Sequence, residues 1–203
     1  MNIKVQQVLK QVIFISTLGL YALSLSAQEL VYEGFLNDKK VGELQVIREV
    51  NDENTKIMVS SLIEVHALVK ISVELSSESM YVNQHLMQSS ATTKVHGDVR
   101  TDIQMIKKSG YYSLENNGKS SRINKSAILG ADLLYFEEPI NIKRVYALAT
   151  GDELEIVKSD EDENAYYFQH NGKKEYHKYV EGVLHEIEIN HMLYNITFRL
   201  KQN

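Results

Sequence analysis

Apolar and polar residues alternate one by one along most of the chain beyond residue 28, in stretches of about six to twelve residues separated by short polar turns. In the last stretch every second residue from Tyr194 to Leu200 is apolar, and the residues between them are polar. Successive side chains of a β-strand point to opposite faces, so each stretch predicts a strand with one buried and one wet face. The chain is therefore expected to form about a dozen strands in an antiparallel meander.

The turns between these stretches carry residues that suit hairpins. Asn117-Gly118 and Asn171-Gly172 are both able to adopt positive φ, which a two-residue type I′ turn requires. Further reversals are expected at Asn37-Asp38, at Asn51-Asp52 and at Gly97-Asp98, because Asn, Asp and Gly favour turn conformations.

One segment departs from the alternating pattern. Lys125–Phe136 reads KSAILGADLLYF, with Asn124 or Ser126 placed to cap its start and Pro139 closing it. This pattern predicts a short helix near residues 125–136, although Gly130 in its middle weakens it. The fold class expected from the whole chain is mainly β: an antiparallel meander forming a strongly curved sheet or open barrel, with that one helix.

The first 27 residues have the three-part layout of a secretory signal. Lys4 and Lys10 lie in a short basic head, an apolar core follows over Val12–Leu25, and small residues lead to Ala27. The core has 14 residues, whereas a membrane-spanning helix needs about 20. We expect cleavage between Ala27 and Gln28 and export of the protein to the periplasm or the extracellular space.

The remaining chain, residues 28–203, is expected to be a single antiparallel β domain without a membrane-spanning segment. It keeps 20 of the 22 basic residues and all 27 acidic ones, which gives a net charge of 20 − 27 = −7. Such a surface repels nucleic acid, so a nucleic-acid partner is not expected. The chain has no Cys, so its stability has to come from its own core rather than from disulfides.

No motif for metal binding or catalysis is complete. His185 and Glu186 begin a zinc-protease signature, but the next His is at 191, outside the spacing that puts two imidazoles on one helical face. The acidic run 160–164 begins like a calcium loop, but Ala165 stands where that loop requires Gly. No Gly-x-Ser-x-Gly elbow or Gly-rich phosphate loop is present. We expect no metal, no cofactor and no catalytic residues.

Several short motifs together resemble a family of uncharacterised exported proteins from Bacteroidota. They are Tyr32-Glu33-Gly34, the segment 134–139 (LYFEEP), Val145-Tyr146-Ala147, Thr150-Gly151-Asp152 and the segment 167–172 (YFQHNG). The resemblance covers nearly all of the chain after the signal and implies a domain of unknown function. The expected curved sheet with one helix also resembles, in architecture alone, the lipoprotein carriers and receptors of the bacterial periplasm, and such a likeness does not establish function.

A ligand site, where one exists, is expected on the apolar face of the C-terminal strands beneath the helical segment. Polar side chains stand there among aliphatic ones, as in a small-molecule pocket, although an ordinary filled core explains the same pattern. The residues predicted to line it are His185, Ile187, Ile189, His191, Tyr194 and Phe198.

Three functions follow in order of preference. The first is a binding or carrier module for an apolar or acyl ligand, the second an interaction or structural protein of the envelope, and the third an enzyme with an unrecognised site.

Overall fold

The computed structural model describes residues 26–66, 70–190 and 195–202, so the predicted signal sequence up to residue 25 lies outside the described residues. The described part contains fourteen strands and one short 3₁₀ helix, Ala131–Tyr135. The strands are β1 (Ser26–Leu36), β2 (Lys39–Asn51), β3 (Asn54–His66), β4 (Lys70–Val82), β5 (His85–Val95), β6 (Asp98–Lys108), β7 (Tyr111–Asn116), β8 (Lys119–Ile123), β9 (Arg144–Ala147), β10 (Asp152–Lys158), β11 (Ala165–His170), β12 (Lys173–Val180), β13 (Val183–Asn190) and β14 (Asn195–Leu200).

All fourteen strands belong to one sheet, in the order β8-β7-β6-β5-β4-β3-β2-β1-β14-β13-β12-β11-β10-β9. Every pairing is antiparallel, and β1 pairs with β14 through Tyr32 opposite Leu200. Val46 of β2 and Phe168 of β11 belong to the same buried core, so the sheet curves round on itself. Its two edges, β8 and β9, are not paired with each other. The predicted fold class, a strongly curved antiparallel sheet or open barrel, is confirmed.

The hairpin turns follow the residues that predicted them. Asn117 and Gly118 have φ of 49° and 74°, and Asn171 and Gly172 have φ of 48° and 78°, so both predicted type I′ turns are confirmed. Gly accepts positive φ without steric cost, and Asn tolerates it better than most residues. Asn37-Asp38 adopts the same left-handed conformation, with φ of 48° and 60°.

The long connection between β8 and β9 lies against the gap in the sheet. Its Ile128 carbonyl accepts a hydrogen bond from the backbone N–H of Leu86 at 3.1 Å, and its Leu129 carbonyl accepts one from the N–H of Tyr146 at 2.9 Å. Gly130 forms a parallel bridge with Tyr146. The connection is therefore attached both to the start of β5 and to the edge strand β9.

The predicted helix over residues 125–136 is wrong in length and type, because only Ala131–Tyr135 is helical and its turn is 3₁₀. Gly130 precedes it with extended backbone, φ −82° and ψ 146°, and no side chain caps the helix. A Cβ at Gly130 would collide with the Tyr81 hydroxyl and the Asp132 carboxylate. Gly130 is thus required for close packing, and the residues before it make backbone hydrogen bonds to neighbouring strands instead of to one another.

Candidate functional site

A cavity of about 350 Å³ lies inside the curved sheet. It is enclosed by the inner faces of β3 and β4 on one side and of β12, β13 and β14 on the other, with single residues from β2, β5, the β8–β9 connection and the β9–β10 connection. Most of its lining is aliphatic or aromatic. The lining residues are Leu44, Ser61, Ile63, Val65, Ile71, Val73, Leu75, Thr93, Tyr135, Ala149, Glu175, His177, Ile187, Ile189, Ile196 and Phe198.

The aliphatic walls of the cavity are formed by alternate residues of the surrounding strands. Ile63 and Val65 are two residues apart on β3, and Ile187 and Ile189 are two apart on β13, so each pair points to one face. Residues directly opposite in an antiparallel pair also share a face, and Ile187 lies opposite Phe198 of β14. The walls are therefore set by period-two patterns that the sequence itself carries.

A glycine makes room for the aromatic part of the wall. Gly34 of β1 lies opposite Phe198 in the β1–β14 pairing. A Cβ added at Gly34 would lie 3.1 Å from Cε1 of the Phe198 ring and 3.2 Å from Cδ1 of Ile63. Because Gly34 has no side chain, the phenyl ring lies over β1, and the space in front of it stays open.

A buried carboxylate holds the 3₁₀ helix in place. The Asp132 side chain, 9% exposed, accepts hydrogen bonds from the Ser79 hydroxyl and the Tyr81 phenol, both on β4. Desolvation by burial raises the pKa of the Asp132 carboxyl above its ordinary value, although these hydrogen bonds lower it. The helix is thereby attached to β4, and its last residue, Tyr135, lies at the cavity with its ring centroid 5.8 Å from that of Tyr32.

The charged end of the cavity is formed by β12. Glu175 and His177 are two residues apart on that strand and both line the cavity. His177 Nε2 lies 3.5 Å from Oε2 of Glu175, and the imidazole stacks on the Phe168 ring with centroids 4.0 Å apart. Burial raises the pKa of the Tyr135 phenol, and the nearby Glu175 charge raises it further. Carboxylate, imidazole and phenol thus meet at one part of a mostly apolar wall.

Three of the six predicted site residues line this cavity, namely Ile187, Ile189 and Phe198. His191 and Tyr194 lie outside the described residues. His185 is not among the lining residues, and the expectation that it shares a face with Ile187 is wrong. Whether the cavity holds a ligand remains a prediction.

The reason for the error at His185 is a β-bulge. Lys178 pairs with Glu186, but Tyr179 pairs with Leu184, so His185 is an extra residue on β13. Leu184 and Ile187 are both buried although they are three residues apart, which a regular strand does not allow. A regular strand would place His185 on the same face as Ile187, but the bulge shifts the alternation by one residue between them.

Sequence reasoning missed Glu175, His177 and Tyr135 as site residues. One signal was present: Glu175 and His177 share the parity of Tyr179, which is fully buried on the same strand. A buried aromatic residue on a given parity marks the core face, and the two polar residues belong to that face. Tyr135 lies in a segment predicted to be helical, where period-two reasoning does not apply.

The described ranges contain neither a metal-binding cluster nor a membrane-spanning helix. Across residues 26–66, 70–190 and 195–202, no three His, Asp or Glu side chains come close enough together to hold a metal ion. The same ranges contain no helix with the length and apolar character needed to cross a membrane. The expected absence of a metal stays a prediction.

Comparison with known proteins gives a family and a fold. A family model described as "Domain of unknown function (DUF6134)" matches residues 32–201. No curated protein matches the chain. A solved structure, the beta-barrel-like protein of domain of unknown function DUF1849 from Brucella abortus, is similar with a TM-score of 0.58 and 8% identity, over 89% of this chain and 98% of that chain. At this identity the likeness shows the fold alone.

Proposed function

We propose that this chain, which belongs to the family described as a domain of unknown function (DUF6134), is an exported protein that binds a small hydrophobic ligand inside its curved sheet. The family description assigns no activity, so the proposal starts from the cavity. The expected ligand is apolar or carries an acyl chain. The protein acts as a binding or carrier module and performs no chemistry on this ligand.

The observation that carries this proposal is the apolar cavity itself. Protein interiors are normally packed to the density of organic crystals, and voids larger than a water molecule are few. A cavity of about 350 Å³ is at the lower end of the range of ligand pockets, about 300 to 1,000 Å³. Water finds few hydrogen-bond partners along the apolar part of this wall, so an apolar molecule replaces it favourably there. A small hydrophobic ligand fits both the size and the lining.

The export part of the proposal is supported by the amino-terminal sequence. The layout of residues 1–27 is that of a cleavable signal, with Ala27 and Gln28 at the expected cleavage site. Cleavage there leaves Gln28, opposite Arg48, as the first residue of β1. The intact mass of protein recovered from the cell envelope measures the cleavage, and an envelope protein that still contains Met1 would contradict it.

A cavity-filling substitution tests the binding proposal. Ile187→Trp places an indole at the cavity wall, where the open space accepts it, so we expect loss of a hydrophobic fluorescent probe with little change in the free energy of unfolding. The matched control is Ile57→Trp, also on a buried strand position but away from the cavity lining. There the larger ring overpacks a filled core, and we expect a destabilisation of about 1 to 3 kcal/mol.

Native mass spectrometry of protein purified from its own envelope supplies the second measurement. We expect a retained hydrophobic molecule, or binding of the added probe by the wild type. If the wild type binds neither, and Ile187→Trp destabilises as much as Ile57→Trp, the interior is a filled core. The role as an envelope interaction protein then becomes the preferred hypothesis.

A further inference from the structure

The polar part of the cavity indicates the head group of the ligand. Resting on the binding function proposed above, we propose that the ligand is a cationic amphiphile, an alkyl chain with an amine head, whose ammonium group binds Glu175 beside Tyr135. By the same geometry, amphiphiles with a carboxylate head are disfavoured.

The charge of the cavity lining disfavours an anionic head group. Among the described lining residues there is no Lys or Arg, and the ionisable groups that carry charge near neutral pH are Glu175 and His177. With His177 neutral the wall carries one negative charge, and with His177 protonated the pair at 3.5 Å sums to zero. In neither state does the described wall carry a net positive charge that would attract a carboxylate.

Glu175 and the aliphatic wall lie at different depths in the cavity. The Glu175 side chain is 43% exposed, whereas Ile187 on the neighbouring strand is 4% exposed. The carboxylate thus stands where the cavity meets solvent, and the aliphatic wall lies deeper. An amphiphile bound with its chain against Ile187 presents its head group to Glu175 and keeps part of its hydration.

The polar lining residues can accept the hydrogen bonds that an ammonium group donates. An ammonium group has three donors and no acceptor. The Glu175 carboxylate offers acceptor positions, since its recorded partner among the described residues is His177 Nε2 at a long 3.5 Å. The Tyr135 phenol also lines the cavity, close enough to Glu175 for that charge to act on it, and its oxygen supplies another acceptor. A carboxylate head group would meet Glu175 with like charge instead.

Three probes with the same chain and different heads test this inference: decylamine, 1-decanol and decanoate. At pH 7 the amine is cationic, as a lysine side chain is, and decanoate is anionic. Displacement of the fluorescent probe from the full mature protein gives the affinity of each. We expect decylamine to bind about tenfold more tightly than decanoate, with decanol between them, and increasing salt to weaken only the binding of decylamine.

The variants are Glu175→Gln and, as a matched control, Glu188→Gln. Glu188 lies on the adjacent strand β13 opposite Tyr176 and does not line the cavity, so both variants change the net charge by the same amount. We expect Glu175→Gln to reduce the preference for decylamine over decanoate to within about threefold, and Glu188→Gln to retain it.

The outcomes separate this inference from the binding function. If decanol binds the wild type but decylamine and decanoate bind equally, or if both variants lose the preference alike, the cationic head group is wrong and the apolar site stands. If none of the three probes binds, the binding function itself fails and the inference falls with it. A wild-type preference for decylamine that salt does not weaken also overturns the role of the Glu175 charge.

Discussion

Removing the Asp132 carboxylate tests whether the 3₁₀ helix is held by a single buried network. Asp132 accepts hydrogen bonds from the Ser79 hydroxyl and the Tyr81 phenol, and all three side chains are buried. Asp132→Ala removes both acceptors at once. Asp132→Asn keeps the shape of the side chain and one oxygen acceptor, so it serves as the matched comparison.

The magnitude follows from the number of donors left without a partner. An unsatisfied buried donor costs about 1 to 3 kcal/mol. The Ser79 hydroxyl has a second, long contact to the Ile57 carbonyl at 3.5 Å, whereas the Tyr81 phenol donates to Asp132 alone among the described residues. We therefore expect Asp132→Ala to lower the free energy of unfolding by about 2 to 5 kcal/mol and Asp132→Asn to lower it by about half as much.

Urea denaturation at pH 7, followed by circular dichroism, measures these losses of unfolding free energy. A double-mutant cycle with Tyr81→Phe measures the interaction free energy between Asp132 and Tyr81. Tyr81→Phe removes the donor that Asp132→Ala would leave unsatisfied, so the double variant should be more stable than the sum of the single losses predicts. If the two losses add, or if Asp132→Ala costs less than about 0.5 kcal/mol, the network does not hold the helix.

The same carboxyl gives a pH dependence with a defined sign. Burial raises the pKa of Asp132, so the folded state binds this proton more tightly than the unfolded state does. Its stabilising contribution is full below the ordinary pKa of about 4 and is lost as the pH rises through the raised folded value. The Asn variant has no such proton, so the stability advantage of the wild type over Asp132→Asn should shrink as the pH rises through that window. An advantage that grows with pH would contradict the raised pKa.

Two further pairs of substitutions test other parts of the interior. Gly34→Ala places a methyl group against Phe198 and Ile63, both at the cavity wall, so we expect these side chains to shift inward and the hydrophobic probe to bind more weakly. In Gly42→Ala the methyl group meets the backbone carbonyl of Leu62, which cannot move aside as a side chain can. Thermal unfolding should therefore show that Gly42→Ala destabilises the protein by at least about 1 kcal/mol more than Gly34→Ala does. Tyr179→Phe removes a buried hydroxyl without a partner among the described residues and should raise the free energy of unfolding by about 1 kcal/mol. Tyr112→Phe, whose hydroxyl donates to the Leu86 carbonyl at 2.7 Å, should lower it, and equal effects of the two would refute this reasoning.

The features that sequence reasoning recovered are local ones. The type I′ turn at Asn117-Gly118 depends on two residues and their tolerance of positive φ, so it is legible without any knowledge of the fold. The alternation of Ile187, Ile189 and the aliphatic residues of other strands is local too, because the pleat repeats every two residues. These patterns were enough for the fold class and for half of the predicted site residues.

The features that it missed depend on contacts between distant parts of the chain. The bulge at His185 is defined by its pairing with β12, and nothing in the residues around it announces the change of parity. Gly130 reads as a weakness in a helix, but its role is to admit the Tyr81 hydroxyl, which lies on a strand 49 residues earlier. The pairing of β1 with β14, which brings the first and the last described strands together, is equally invisible in a local pattern.

Neither Glu175 nor His177 was predicted to line a site, and charged residues are rarely buried unless they are paired. That rule holds for a filled core, where a charge loses its hydration and gains nothing. It fails beside a cavity that reaches solvent, where Glu175 keeps 43% of its side-chain exposure while sharing a face with the fully buried Tyr179. An acidic residue such as Glu175, on the same strand face as a buried aromatic residue, therefore indicates an open cavity at that point of the core.

The break in the sheet and the cavity belong to one arrangement. Because β8 and β9 do not pair, the connection between them is free to turn inward, and its hydrogen bonds to Leu86 and Tyr146 fix where it does so. The Asp132 network then places Tyr135 at the cavity, on the same side as Glu175. A closed barrel of all fourteen strands would be too wide for its own side chains to fill, since about eight strands already form an interior that side chains just fill. The interrupted sheet instead brings one segment inside that both completes the core and supplies a polar group to the candidate binding site.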